Sequence, residues 1–170
     1  MEQYFSKGRI TKHETVMAQN AAIIETLNDL ILINNDRVAG YEKAYDETEA
    51  SDSDLRSLYN SLANHSRDNV LELSGEVTAL GGEPATGTMV SGKLYRVWMD
   101  VRAAFSSDGR KTSLENSEFG EDAAQKAYES ALESDELTPE LRALVTRQKA
   151  TLRSGHDTIK RLRDAAKAYH

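Results

Sequence analysis

The sequence contains no cysteine and only two prolines among its 170 residues. Without cysteine the chain can form no disulfide, no thiolate nucleophile and no Cys-ligated zinc site. The scarcity of proline, together with many Ala, Leu, Glu, Lys and Arg residues, favours an all-helical chain. The length favours one compact domain with a single core.

An excess of basic residues and a long apolar run are also lacking. The 28 acidic residues outnumber the 21 basic ones, whereas nucleic-acid binders normally use clustered Lys and Arg to neutralise phosphates. No apolar run approaches the roughly 20 residues that span a bilayer, and the N-terminus lacks the apolar core of a signal peptide. We therefore expect a cytoplasmic protein that binds neither nucleic acid nor membrane.

One helical hairpin occurs twice in the sequence. Tyr41 to Leu58 and Tyr128 to Leu144 each run from a tyrosine through an acidic stretch into Asp/Glu-Leu-Arg-Ser/Ala-Leu. The offset between the copies is 87 residues up to the tyrosine and 86 residues after it. Internal repeats fix architecture, so this one predicts two copies of an antiparallel helix pair.

Apolar residues at spacings of three and four predict four long helices. A polar extension at 1–20 precedes a helical domain at 21–168. Within the extension, Thr11 and Glu14 have capping-box spacing, so part of it could lead into the first helix. The alternative is that the extension is a frayed arm. The first helix is predicted from Ile23 to about Glu49, and the second has Ser51 or Ser53 as its N-cap and Gly81-Gly82 as its C-cap. The third covers roughly 111–134, and the fourth has Thr138 as its N-cap before Pro139.

Residues 81–110 join the two copies. They hold a Gly/Thr/Ser-rich loop and one short amphipathic helix with Leu94, Trp98, Val101 and Phe105 on one side. On the assumption that the copies point the same way, the chain must travel the length of the bundle to start the second copy. The segment then reads as a long crossover, with Trp98 as its anchor on the core.

Polar residues interrupt the apolar stripe near the middle of each helix. By helical phase they point inward, and antiparallel neighbours bring their midpoints to one level, so we expect one buried polar layer: Asn34, Ser66, Asn69, Glu121 and Gln148. An unpaired buried carboxylate costs several kcal/mol or shifts its pKa upward. Glu121 therefore needs a partner, and Arg37, Arg153 and His156 are the candidates.

Five segments carry a resemblance to a known family: LNDLILINNDRVAGYEKA (Leu27 to Ala44), LANHSRDNVLELSGEVTALGGEP (Leu62 to Pro84), WMDVRAAF (Trp98 to Phe105), GEDAAQKAYESAL (Gly120 to Leu132) and HDTIKRLRD (His156 to Asp164). Over about 22–165 the chain resembles the ferritin-like superfamily and, within it, a bacterial family of four-helix-bundle proteins of unknown function. The resemblance implies a ferritin-like bundle of two hairpins joined by the long crossover.

Ferritin-like di-iron proteins bind metal through a Glu from each of two helices and Glu-x-x-His from each of the other two. The resemblance places the lone Glu positions on Asn34 and Glu121. It places the first Glu-x-x-His on residues 66–69, Ser-Arg-Asp-Asn. Three of these four ligand positions therefore hold no carboxylate or imidazole.

The second Glu-x-x-His falls on Leu152 and Gly155 by the internal repeat, or on Arg153 and His156 one residue later. Two iron ions need about four to six carboxylate and imidazole ligands, and at best one of each survives. The resemblance thus implies a degenerate di-iron site, and we expect no metal or other cofactor.

Two further patterns resemble ligand sites. Residues 87–93 match Gly-x-x-x-x-Gly-Lys of a phosphate-binding loop, but Leu94 follows where Mg²⁺ binding needs Ser or Thr. His65, Glu72 and Glu76 lie along one flank of the second helix and could bind a surface metal, although a solvated flank is the simpler interpretation.

The sequence favours a non-catalytic ferritin-like bundle that acts as a structural or interaction module. A stress-related role rests on fold analogy alone. A homodimer is plausible because ferritin-like bundles often pair, and a protein partner would be unidentified. The alternative is an iron oxidase or iron-storage protein that uses Glu121 and His156, with Glu118 as support.

Overall fold

The computed structural model describes residues 9–88 and 109–168, which form four helices and no strand. The helices are α1 (Lys12–Glu47), α2 (Ser53–Ala79), α3 (Arg110–Leu132) and α4 (Pro139–Ala168). The main packing is of α1 on α2 and of α3 on α4. The expected all-α four-helix bundle is therefore confirmed.

The N-terminus of α1 is set by a reciprocal cap. The Thr11 hydroxyl accepts a hydrogen bond from the Glu14 amide at 3.2 Å, and the Glu14 carboxylate accepts one from the Thr11 amide at 2.7 Å. This arrangement satisfies two of the amides that a helix start leaves unpaired, so the capping box is confirmed. Residues 12–20, which we expected to be a polar extension, are the first turns of α1.

At the two ends of α2, one predicted cap is wrong and one is confirmed. The N-cap residue of α2 is Asp52, not Ser51 or Ser53, and its side chain makes no capping hydrogen bond. At the C-terminus of α2, Gly81 has a φ of +83°, and the Gly82 amide donates to the Val77 carbonyl at 3.0 Å. A positive φ favours glycine, so the predicted glycine C-cap is confirmed.

The two hairpins point in opposite directions. Asn34 of α1 contacts Tyr128 of α3, whereas Tyr41, further along α1, contacts Glu121, which lies earlier in α3. This order makes α1 and α3 antiparallel, so α2 and α3 are parallel. Our assumption that the copies point the same way is therefore wrong.

Because α2 and α3 are parallel, the end of α2 and the start of α3 lie at opposite ends of the bundle. Arg110, the first residue of α3, donates to Asp54 at the start of α2 at 3.0 Å. After α2 the chain turns back along α1, where the Ala85 amide donates to Asn28 at 2.8 Å and Asn35 donates to the Gly87 carbonyl at 2.9 Å. The predicted short helix and its anchor Trp98 lie outside the described residues.

By length and composition, α1 is apolar enough to cross a membrane. A core helix passes the same test, and Ile23, Leu27 and Leu30 of α1 are at most 1% exposed in the bundle. The expectation concerned uninterrupted apolar runs, and α1 has none of about 20 residues; it meets the test through the average hydropathy of a window. Burial of its apolar residues inside the bundle accounts for its composition without a membrane.

The apolar core consists of two clusters. One joins residues from Ile23 to Ile33 of α1 to Leu73 and Val77 of α2 and to the ends of α3 and α4 that meet them. The other lies around Tyr41 and Tyr59. Between them the bundle is crossed by buried polar side chains, which form the candidate site.

Candidate functional site

Each of the four helices contributes to a buried polar layer at the middle of the bundle. Asn34, Ser66, Glu121 and Gln148 are fully buried, and Asn69 is 4% exposed. The layer also contains Arg37, which is 1% exposed and is among the largest fully buried side chains of the described residues. From the sequence, Arg37 was only a possible partner of Glu121, because helical periodicity does not distinguish a buried arginine from an exposed one.

Arg37 is the partner of Glu121. Its Nη2 forms an ion pair with Glu121 Oε1, and its Nη1 donates to the hydroxyl of Ser66. The Tyr41 hydroxyl donates to the same Glu121 oxygen. Arg37 also lies 5.4 Å from the centroid of the Tyr41 ring, within the range of a cation–π contact.

Burial and charge set the ionisation of this group. Burial is the largest single effect and lowers the pKa of Arg37, but the charge of Glu121, its hydrogen bond and the neighbouring Tyr41 and Tyr128 together outweigh burial and raise this pKa above its ordinary value. Burial and the neighbouring Glu121 charge raise the pKa of Tyr41 well above its ordinary value. Arg37 therefore stays cationic and Tyr41 stays a neutral donor over the physiological range.

The other half of the layer is a chain of neutral hydrogen bonds. The Tyr128 hydroxyl accepts from Asn34 and donates to Gln148, both at 2.9 Å. Asn69 donates to Asn34 at 3.1 Å, and Gln148 donates to the Asn69 carbonyl at 3.4 Å. Burial raises the pKa of Tyr128 to about 12, so it too is neutral.

An approximate twofold relates the two halves of the layer. Tyr41 and Tyr128 are equivalent in the repeat, as are Asn34 and Glu121. Each tyrosine hydroxyl contacts the equivalent residue of the other hairpin, because Tyr41 bonds Glu121 and Tyr128 bonds Asn34. The symmetry is broken at Arg37, whose equivalent is the buried Ala124.

The central layer does not fit a di-iron centre. It offers one carboxylate, Glu121, and no imidazole, and a guanidinium lies directly against that carboxylate. Iron sites of this kind need several anionic or imidazole ligands. The guanidinium of Arg37 is the cation that pairs with this carboxylate.

A second polar cluster lies on the outer side of the α3–α4 pair. His156 is 5% exposed and contacts Asp122 of α3 through Nε2 at 2.8 Å and Asp157 through Nδ1 at 2.9 Å. Glu118, one helical turn before Asp122, pairs with Arg163. Oxygen and nitrogen atoms of Glu118, Asp122 and His156 lie within 4.8 Å of one another.

The structure separates the residues of the sequence-predicted iron set. Glu118 and His156 lie in one cluster, as predicted, but the third residue of that cluster is Asp122. Glu121 lies in the central layer instead. Neighbouring residues on a helix point about 100° apart, so Glu121 and Asp122 face different surroundings. Of the other candidate partners of Glu121, Arg153 contacts Asp157 at 3.2 Å and His156 contacts Asp122.

Comparison with known proteins identifies the family. The model of the family described as "Domain of unknown function (DUF2383)" matches residues 22–134, about two thirds of the chain. The chain therefore belongs to the DUF2383 family. No curated protein matches it. The match includes α2, α3 and the paired tyrosines, whereas α4 with Gln148 and His156 lies beyond it.

Proposed function

We propose that this DUF2383 protein is a non-catalytic, ferritin-like bundle that acts as a structural or interaction module. The observation that carries the proposal is the Arg37–Glu121 ion pair at the centre of the bundle. A guanidinium that is built into the fold supplies the counter-charge of the one central carboxylate at Oε1, while Glu121 Oε2 is buried with no hydrogen-bond partner among the described residues.

The topology supports the ferritin-like part of the proposal. The order of the helices is up, down, down, up, and α2 and α3 begin at the same end of the bundle. Ferritin-like folds have this arrangement, with one long crossover between the second and third helices. The ion pair joins α1 to α3 in the buried interior of the bundle, and the bundle core is where ferritin-like folds hold their metal ions.

Ferrous iron tests this proposal directly. We expect the purified full-length chain, given Fe²⁺ in air, to oxidise it no faster than buffer does. A matched variant, Arg37→Ala with Glu121 retained, removes the internal cation and leaves the carboxylate. If the wild type oxidises or retains iron and Glu121→Gln abolishes this, the proposal is wrong and the centre is a metal site.

Self-association through a second copy of the chain is the interaction that we propose first. Val16 and Met17 in the first turns of α1 are 45% and 58% exposed, and Ile10 just before α1 is 75% exposed. Pairing through this end would bury apolar surface that the bundle leaves in water. Sedimentation velocity should show a dimer that Met17→Glu weakens, with Glu25→Gln as a surface control. A wild-type monomer at high micromolar concentration would contradict the pairing.

A further inference from the structure

We propose that Glu118, Asp122 and His156 form a binding site for one divalent transition-metal ion, which links α3 to α4 on the outer side of the pair. This inference does not depend on the proposed function, because the site shares no residue with the Arg37–Glu121 layer. Among residues 9–88 and 109–168, this is the one group of three metal-ligating side chains whose donor atoms converge.

The hydrogen-bond requirements of His156 provide the first argument. A neutral imidazole has one N–H, yet both ring nitrogens of His156 lie within 2.9 Å of a carboxylate oxygen. If Nδ1 donates to Asp157, the Nε2 lone pair faces Asp122 Oδ1 with no hydrogen between them. A metal ion bound by Nε2 and Oδ1 would replace this contact between two acceptors, and in the other tautomer Nε2–H donates to Asp122 and the same contact arises between Nδ1 and Asp157.

The surroundings of His156 favour the metal. Ligating histidines usually donate their second ring N–H to a carboxylate, which fixes the tautomer and orients the ring. Asp157 is in this position, and it is itself held by Arg153 at 3.2 Å. The ring is thus presented with Nε2 toward Asp122 and Glu118, and its burial limits rotation.

The two carboxylates provide the other ligands. Glu118 and Asp122 are four residues apart and lie on one face of α3, where side chains at this spacing are neighbours. A metal with ligand distances of about 2.0–2.2 Å separates its ligands by about 3–4 Å. The donor atoms lie within 4.8 Å of one another, so small side-chain rotations bring them into range.

Arg163 is the competing cation at this site. It pairs with Glu118 Oε2 and with Asp164 at 2.7 Å. A carboxylate has about four lone-pair sites, so Glu118 can bind a metal while it retains Arg163. One imidazole and two carboxylates suit borderline ions such as Zn²⁺, Mn²⁺ or Fe²⁺ and leave coordination positions for water.

Zinc alone, titrated calorimetrically into the untagged full-length protein at pH 7.5, tests the site. We expect one Zn²⁺ per chain, with affinity reduced at least about tenfold by Asp122→Asn and by His156→Gln, because the loss of a ligand should cost no less than the loss of a group that orients one. Asp122 is 54% exposed, so its variant should fold normally. The controls, His13→Gln on α1 and Asp68→Asn on α2, alter exposed residues of the same types, and their zinc affinities should stay within about twofold of wild type.

Two outcomes would overturn the site. Zinc affinity that is unchanged in both His156→Gln and Asp122→Asn would place binding elsewhere on the chain. No zinc binding to the wild-type protein would show that hydrogen bonds and ion pairs alone hold His156, Asp122 and Glu118 together. Glu121→Gln should leave zinc affinity unchanged, which separates this test from that of the central layer.

Discussion

At the scale of single residues, the most consequential group is the buried pair of Arg37 and Glu121. Two charges taken out of water are stabilised only while each has its partner. The sequence predicted that Glu121 would be buried, because helical phase gives the direction of a side chain. It could not choose among Arg37, Arg153 and His156, because phase does not give the distance across a bundle.

Glu121→Leu should therefore lower the free energy of unfolding by about 3 kcal/mol or more, because it leaves the Arg37 charge buried without a partner. The double variant Arg37→Leu/Glu121→Leu should recover most of that loss. Urea denaturation measures both. Glu25→Leu, at an exposed position of α1, should change stability by less than about 0.5 kcal/mol. If Glu121→Leu were as stable as the wild type, Arg37 and Glu121 would not form an ion pair in solution.

The two central tyrosines predict how stability depends on alkaline pH. Burial holds the pKa of Tyr128 at about 12 and that of Tyr41 well above its ordinary value. In the unfolded chain both titrate near pH 10. Their contribution is thus complete below about pH 10 and is lost as the pH rises through the folded-state values, because only the unfolded state releases the protons there.

Urea midpoints at pH 9, 10 and 11 should fall more steeply for the wild type than for Tyr128→Phe. Each such tyrosine contributes about 1.4 kcal/mol per pH unit in this window. Tyr45→Phe, at a half-buried position near the end of α1, is the matched control and should keep the wild-type slope. Equal slopes in all three proteins would mean that Tyr128 ionises as freely in the folded chain as in the unfolded one.

At the scale of helices, the close approach of α2 and α4 depends on a glycine. A Cβ built on Gly155 of α4 would lie 2.7 Å from Leu62 Cδ2 of α2, closer than carbon atoms can pack. The repeat relates this contact to that between Asn69 and Gln148 on the same two helices. The sequence marked Gly155 as part of the inward stripe, but a glycine at a helix centre does not reveal which neighbour needs the space.

Gly155→Ala should destabilise the protein by up to about 2 kcal/mol, because moving the buried Leu62 methyl group costs about 1–3 kcal/mol and helix propensity returns about 1 kcal/mol. Gly75→Ala is the matched control: Gly75 lies inside α2 with no atom within 4 Å of a built Cβ. It should stabilise by about 0.5–1 kcal/mol. Thermal melts of the two variants should shift in opposite directions, and a shift in the same direction would refute the close contact.

At the scale of the whole molecule, the internal repeat predicted four helices in two hairpins but not their relative direction. A repeat shows that two segments fold alike, and parallel and antiparallel placements of the copies give the same sequence pattern. The contacts of Tyr41 with Glu121 and of Tyr128 with Asn34 decide it. The same holds for the site. The sequence predicted which polar residues are buried, but which of them form pairs depends on the relative direction of the hairpins.

Because each tyrosine is bonded by the opposite hairpin, the two halves should unfold together. Native-state hydrogen exchange should give the amides around Asn34, Asn69, Glu121 and Gln148 one common opening free energy, equal to that of global unfolding. The first turns of α1, which lie beyond the bundle, should exchange faster. A hairpin that opens at much lower free energy than the other would contradict this coupling.

The approximate twofold also bears on how such a chain could arise. Two identical hairpins related by a true twofold would form an isologous dimer, held by the same tyrosine contacts that now join the halves of one chain. The present α1–α2 hairpin has lost that ability. A dimer of it would bury two Arg37 side chains opposite two Asn34 residues, with no carboxylate for either. The single charged pair that breaks the symmetry therefore makes the two halves of this chain dependent on each other.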